Sequence, residues 1–183
     1  MKKSTAAGRG RYVALLRGIN VGAHKRMAMK ALVAVFEKLG CTDVATYVQS
    51  GNVVFRPPAS LKLDAATLAA KIEKAFGFEV PVVLRTAEEL EETILRNPFP
   101  NADRLHVSFL GTAPSRDRIA ALDPHRSPGD SFKVLGREIY LLFPNGVAHS
   151  KLTSQYLDSK LKTTGTTRNW KTVLTLREMT QKT

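Results

Sequence analysis

The order of strand-like and helix-like segments in residues 11–98 most strongly limits what this chain can fold into. Apolar runs predict strands over residues 12–16, 44–49, 53–56 and 80–85. Between them, apolar residues at helical spacing predict two helices, which Gly40 and Gly77 would end. The resulting order, β-α-β-β-α-β, is that of ferredoxin-like domains, in which two amphipathic helices cover one face of an antiparallel sheet.

The second part of the chain repeats most of this order. Strands are predicted over residues 105–110, 131–135 and 138–143, and helices begin at capping hydroxyls. The caps that we predict are Ser115, Ser150 and either Thr166 or Thr167. The last helix would place Trp170, Val173, Leu174 and Met179 on its buried face.

These patterns together predict an α/β (α+β) protein made of two ferredoxin-like βαββα-type halves with antiparallel sheets. Residues 11–98 form an N-terminal βαββαβ subdomain with a linking helix, and residues 99–183 form a C-terminal βαββαα subdomain. Residues 1–10 are expected to be a basic disordered tail.

Positive charge gathers in two parts of the sequence. The chain has 28 basic and 16 acidic residues, a net charge of +12. Residues 1–36 carry eight basic residues and no acidic one, and residues 150–183 carry seven basic and two acidic ones. Because such regions attract anions, the distribution favours an anionic partner.

Composition also excludes several classes of protein. A single cysteine, Cys41, cannot form an internal disulfide, which is typical of a reducing compartment. No apolar stretch approaches the roughly 20 residues that span a bilayer, and residues 1–11 do not resemble a secretory signal. The four histidines lack metal-ligand spacing. We therefore expect a cytoplasmic protein without membrane contact, metal or cofactor.

Five ordered motifs carry a resemblance to a known family. They are Tyr12–Gly22 (YVALLRGINVG), Tyr47–Phe55 (YVQSGNVVF), Asn97–Phe99, Ser150–Leu152 and Thr166–Val173 (TTRNWKTV). In this order and at these separations they resemble the bacterial domain-of-unknown-function family 1697, over about residues 11–176. The resemblance implies a two-part α/β fold and no activity, because the family has none established. Ala23 and Lys171 depart from it, since it implies a glycine and an asparagine there.

Three segments are candidates for ligand binding. The first is the loop Arg17–Gly22 with the basic residues that follow it, His24, Lys25 and Arg26. Glycines let backbone N–H groups approach an anion closely, although a loop that only turns a strand into a helix has the same composition. The second comprises the helix starts at Ser150-Lys151 and Thr166–Asn169, where capping explains the hydroxyls but not Asn169. The third is the hairpin turn Ser50–Asn52.

We predict that these segments converge in a basic cleft between the two halves. The residues predicted to line it are Arg17, Asn20, Lys25, Asn52, Lys151, Arg168 and Asn169. The partner would be an anionic, phosphate-bearing small molecule or a nucleic-acid backbone bound weakly and with strong salt dependence. Sequence-specific RNA binding is disfavoured, because Phe55 is alone where RNA-recognition sheets stack two or three rings. The alternatives are an enzyme acting on a phosphorylated or carboxylated metabolite, and a protein-interaction module.

Overall fold

A computed structural model of the protein describes residues 10–22, 25–61 and 63–182. The chain divides into two compact units. Unit 1 comprises the described residues of Met1–Ala87 and Met179–Thr183, and unit 2 comprises Glu88–Glu178. Nine of the ten residues of the expected basic tail, and also Ala23 and His24, lie outside the described residues.

Unit 1 contains one four-stranded antiparallel sheet and two helices. Its elements are β1 (Tyr12–Leu16), α1 (Met29–Lys38), β2 (Thr42–Tyr47), β3 (Asn52–Arg56), α2 (Ala65–Phe76) and β4 (Val82–Thr86). The strands lie in the order β2-β3-β1-β4, and all three pairings are antiparallel. This arrangement confirms the predicted ferredoxin-like order. Asp64 caps α2 by accepting a hydrogen bond from the backbone N–H of Thr67 at 2.6 Å.

The two helices of unit 1 close its hydrophobic core against one face of the sheet. Leu32 and Phe36 of α1, and Leu68 and Ile72 of α2, are fully or almost fully buried. Phe55 of β3 lies in the same cluster, and its ring meets Phe36 edge to face at a centroid distance of 4.8 Å. The single aromatic ring that β3 contributes therefore belongs to the core beneath the helices.

The opposite face of this sheet is buried as well. Val13 of β1 pairs with Val54 of β3 and Arg85 of β4, and paired residues of antiparallel strands share a face. Val13 and Val54 are buried, and Arg85 is only 1% exposed. The Nη1 group of Arg85 donates to the carbonyl of Leu84 at 2.8 Å. Buried apolar side chains thus flank a buried guanidinium on this face.

Unit 2 repeats the topology of unit 1. Its elements are α3 (Ala87–Leu95), β5 (Leu105–Leu110), α4 (Arg116–Ala120), β6 (Ser131–Leu135), β7 (Glu138–Leu142), a 3-10 turn (Val147–His149), α5 (Ser154–Leu161), β8 (Gly165–Asn169) and α6 (Trp170–Gln181). The strands lie in the order β6-β7-β5-β8 and are all antiparallel. The first residue of α3 and the last three of α6 lie in unit 1.

Two helix starts differ from the sequence prediction. Thr166 and Thr167 do not cap the last helix, because Gly165–Asn169 pairs with Leu110–His106 and forms β8. The second half therefore follows the order βαββαβ and ends with α6. Ser150 does not cap α5 either, since the hydroxyl of Thr153 accepts from the N–H of Tyr156 at 3.2 Å. On α6, Leu174 is exposed and Leu176 is buried in its place.

None of the described helices has the length and hydrophobicity needed to cross a membrane.

Candidate functional site

Asn20 organises the loop between β1 and α1. Its side-chain amide donates to the carbonyls of Met27 at 3.0 Å and Gln49 at 2.8 Å, and its Oδ1 accepts from the N–H of Met27 at 2.8 Å. Its backbone N–H donates to the carbonyl of Lys25 at 3.1 Å. Asn20 has a φ of 53°, a conformation that asparagine tolerates better than most residues. Both amide hydrogens of Asn20 are therefore engaged within the protein.

The hairpin turn between β2 and β3 packs against this loop. Gly51 accepts from the N–H of Leu16 at 2.8 Å through its carbonyl. Gly51 has a φ of 79°, and a Cβ added there would lie only 2.6 Å from the Cβ of Leu16. Asn52 is completely buried and donates to the carbonyl of Tyr47 and the hydroxyl of Ser50. Asn52 thus braces the turn from inside, and the turn and the loop form one packed structure.

A cavity of about 450 Å³ opens where the loop, the turn and the start of α1 meet. The residues that line it are Asn20, Gly22, Arg26, Met27, Ala28 and Gln49. Arg26 is exposed and lines the cavity. Its guanidinium is available to an anion in the cavity.

The start of α1 adds positive potential to the same cavity. Ala28 occupies the N-cap position without a side-chain hydrogen bond, and the first turn of α1 carries no acidic residue. The first backbone N–H groups of a helix carry partial positive charge. Because the six lining residues include one cation and no carboxylate, the electrostatics of the cavity favour an anion.

The two other predicted residues of unit 1 tie the loop to neighbouring segments. Lys25 is exposed, and its Nζ donates to the carbonyl of Glu79 at 2.7 Å. Arg17 is half-buried, and its backbone N–H donates to the carbonyl of Pro81 at 3.0 Å. Four predicted residues thus lie in the loop between β1 and α1 or in the hairpin turn that packs against it. They are Arg17, Asn20, Lys25 and Asn52.

The remaining three predicted residues, Lys151, Arg168 and Asn169, lie in unit 2. Lys151 is exposed; its N–H donates to the hydroxyl of Ser127, and its carbonyl accepts from Nε of Arg126. Arg168 is 8% exposed and donates to Oγ1 of Thr166 and the carbonyl of Thr167. Burial lowers the pKa of Arg168 to about 10, so it remains protonated at neutral pH.

Arg168 occupies the position in unit 2 that Arg85 occupies in unit 1. Val107 of β5 pairs with Tyr140 of β7 and Arg168 of β8, as Val13 pairs with Val54 and Arg85 in the other sheet. β8 thus carries a buried arginine in the same register as the buried arginine of β4. Its arginine is part of the internal structure of the sheet.

Asn169 caps α6, contrary to the interpretation that its amide has no capping role. Its Oδ1 accepts from the N–H of Thr172 at 2.8 Å, the contact by which an N-cap satisfies a free donor of the first turn. The sequence prediction was wrong here because it placed the helix start at the preceding threonines.

Replacement of Asn169 by alanine is expected to lower the free energy of unfolding by about 1 kcal/mol, because the first turn of α6 loses its cap. Urea denaturation measures this change. Asn169→Asp is the matched control, since a carboxylate keeps the acceptor and favours the helix dipole. Equal stability of the alanine and aspartate variants would contradict the capping role.

Arg26 and Gln49 line the cavity but were not among the seven predicted residues. Arg26 belongs to the basic segment after the loop, and Gln49 immediately precedes the predicted turn. The charge of Arg26 was a usable signal. Gln49 belongs to the motif Tyr47–Phe55, but no sequence signal assigned it to the site, because its place at the cavity depends on the packing of the turn against the loop.

The described residues offer little support for metal binding or for catalysis by a thiol or an imidazole. They contain no cluster of histidine, cysteine and carboxylate side chains able to hold a metal ion. Burial raises the pKa of the Cys41 thiol, which disfavours the nucleophilic thiolate. Burial also lowers the pKa of His106, partly offset by its contact with the Arg104 carbonyl. His106 is thus mainly neutral at pH 7.

Comparisons with known proteins agree with this fold. SP0830, described as a conserved bacterial protein from Streptococcus pneumoniae, is similar in structure, with a TM-score of 0.69 and 21% sequence identity. The match covers 93% of this chain and 98% of that one. At this identity the likeness shows the fold alone. No curated protein matches the chain.

A family model described as "Protein of unknown function (DUF1697)" matches residues 10–140, well over half of the chain. This match confirms the family that the sequence motifs indicated, and the first three of the five motifs lie within the matched residues. The chain therefore belongs to the DUF1697 family of proteins of unknown function.

Proposed function

We propose that this protein binds a small phosphate-bearing molecule in the cavity of unit 1. The observation that carries the proposal is that the exposed Arg26 lines a cavity of about 450 Å³ whose described lining residues include no acidic one. This volume lies within the usual range for small-molecule sites, about 300–1,000 Å³. Arg26 would hold the anion through charge-assisted hydrogen bonds, and the start of α1 would add its partial charge.

Binding of a small molecule is better supported than binding of a nucleic acid. RNA-recognition sheets stack bases on exposed rings of the sheet face that lies away from the helices. Here the ring of Phe55 is buried beneath α1 and α2. On the opposite face of the sheet, Val13 and Val54 are also buried, so neither face offers an exposed ring of β3 for stacking. Among the described residues, Arg26 lies at a cavity and not on an exposed sheet face, which favours a small ligand over a nucleic acid.

Binding is also better supported than catalysis. The six described residues that line the cavity include no group that titrates near neutral pH and could act as a general acid or base. Arginine and amide side chains recognise and orient a phosphate without transferring protons.

We also infer a cytoplasmic location. The single cysteine of the protein, Cys41, is free and buried in the core of unit 1. A protein that is stable without any disulfide is suited to a reducing compartment.

Arg26→Gln is expected to weaken the binding of inorganic phosphate by about tenfold, since a charge-assisted hydrogen bond contributes about 1.5–3 kcal/mol. Binding is measured from the rise of the melting temperature with phosphate concentration, at constant ionic strength maintained with sodium chloride. Glutamine keeps the polarity and much of the length of arginine but removes the charge and the guanidinium fork.

Arg116→Gln is the matched control, because Arg116 is an exposed arginine of unit 2. It should bind phosphate as the parent does. A parent protein that phosphate does not stabilise, or an Arg26→Gln variant that responds like the parent, would show that the cavity is not an anion site. Stabilisation by short oligonucleotides alone would favour the nucleic-acid alternative.

A further inference from the structure

We propose, resting on the function proposed above, that the ligand is a phosphate monoester with a compact apolar group, and that this group lies on Val21 and Val48. The cavity supplies a cation for the phosphate, and the apolar group would extend beyond the cavity onto the exposed side chains of these valines. The proposal therefore defines the ligand as amphipathic and not as a free inorganic ion.

Neither valine is among the described residues that line the cavity, but both are adjacent in the chain to residues that do. Val21 lies between Asn20 and Gly22, and Val48 immediately precedes Gln49; all three neighbours line the cavity. The hydrogen bond of 2.8 Å from the Asn20 amide to the Gln49 carbonyl joins the two segments. Each valine is thus one residue away from this hydrogen-bonded pair, a step of about 3.8 Å along the backbone.

Both valines have exposed side chains. Val21 is 70% exposed and Val48 is 50% exposed, whereas Met27 between the loop and α1 is only 3% exposed. Of the five large apolar side chains exposed among the described residues, these two lie in neighbouring segments that meet at one cavity. Apolar surface beside a few placed polar groups is typical of small-molecule sites.

Val48 also has an unfavourable backbone conformation. Its φ is 50°, the left-handed region in which a β-branched side chain is disfavoured. Asparagine or glycine would adopt this conformation at lower cost. A strained residue that carries an exposed apolar side chain next to a cavity-lining residue indicates a contribution to binding.

The test compares phenyl phosphate with inorganic phosphate in the parent protein and in two variants. Covering about 60 Å² of apolar surface at about 25 cal/mol per Å² predicts that phenyl phosphate binds about tenfold more tightly. Val21→Ser and Val48→Asn should each reduce this preference while leaving the affinity for inorganic phosphate within about twofold of the parent value. Asparagine at position 48 relieves the backbone strain, so this variant keeps its fold.

Val147→Ser is the control, because Val147 is a similarly exposed valine in unit 2. It should keep the full preference for phenyl phosphate. If the parent binds both compounds equally and Arg26→Gln weakens the binding of both, the anion site is supported and the contact of an apolar group with the two valines is refuted. A preference that survives in both valine variants also refutes it, because the ring must then lie elsewhere. If neither compound binds, the proposed function itself is wrong.

Discussion

Asn20→Ala is expected to lower the free energy of unfolding by about 3 kcal/mol, because the loop loses three side-chain hydrogen bonds that each contribute about 1 kcal/mol. These are the two bonds from its amide to the carbonyls of Met27 and Gln49 and the bond that its Oδ1 accepts from Met27. Alanine at a φ of 53° adds a conformational cost. Urea denaturation, followed by circular dichroism, measures the loss.

Asn101→Ala separates the two contributions. Asn101 is an exposed asparagine with a φ of 61°, so its replacement incurs the conformational cost without the loss of the network. It should destabilise the protein by about 1 kcal/mol. Similar losses in the two variants would show that the hydrogen bonds of Asn20 contribute little. We also expect Asn20→Ala to bind phosphate more weakly, because the same bonds hold the walls of the cavity together.

Gly51→Ala is expected to destabilise the protein by about 3 kcal/mol for two reasons that add, backbone strain and steric overlap. At a φ of 79°, an L residue is in the left-handed region. The new Cβ would also lie 2.6 Å from the Cβ of Leu16 and 2.8 Å from Cδ1 of Ile19. Both neighbours are buried, so they cannot move aside without disturbing the core.

Gly77→Ala is the matched control for this substitution. Gly77 has a φ of 78°, and a Cβ there would meet no atom within 4 Å. It should cost only the conformational part, about 1 kcal/mol. The difference in unfolding free energy between the two variants measures how tightly the hairpin turn packs against the loop. A difference near zero would mean that the turn shifts to accommodate the new Cβ, and that the wall of the cavity is less rigid than the structure indicates.

Local patterns were sufficient for most of the fold. The apolar run of Tyr12–Leu16 forms β1 with the predicted bounds, and Asp64 and Gly77 delimit α2 as their chemistry requires. These outcomes depend on contacts between residues close in sequence, such as the Asp64 carboxylate and the Thr67 N–H. Such contacts can be predicted without knowledge of the rest of the chain.

The strand β8 could not be predicted in this way. Its sequence, Gly-Thr-Thr-Arg-Asn, lacks an apolar alternation and offers two hydroxyls that resemble helix caps. It becomes a strand because β5 has a free edge whose backbone groups require partners. That requirement arises from residues about 60 positions away (Leu105–Leu110), and the cap of α6 moves to Asn169 as a consequence.

The candidate site shows the same division. From charge, the sequence determined that an early glycine-containing loop carries cations and no acid, and from the order of apolar runs and helical spacings it predicted two ferredoxin-like halves. Only the tertiary structure decided which of those polar groups face inward. Asn20 and Asn52 became internal braces, whereas Arg26 remained exposed at a cavity. The physical reason is that the direction of a side chain in a loop depends on hydrogen bonds to distant backbone groups, such as the Gln49 carbonyl, which residue spacing does not encode.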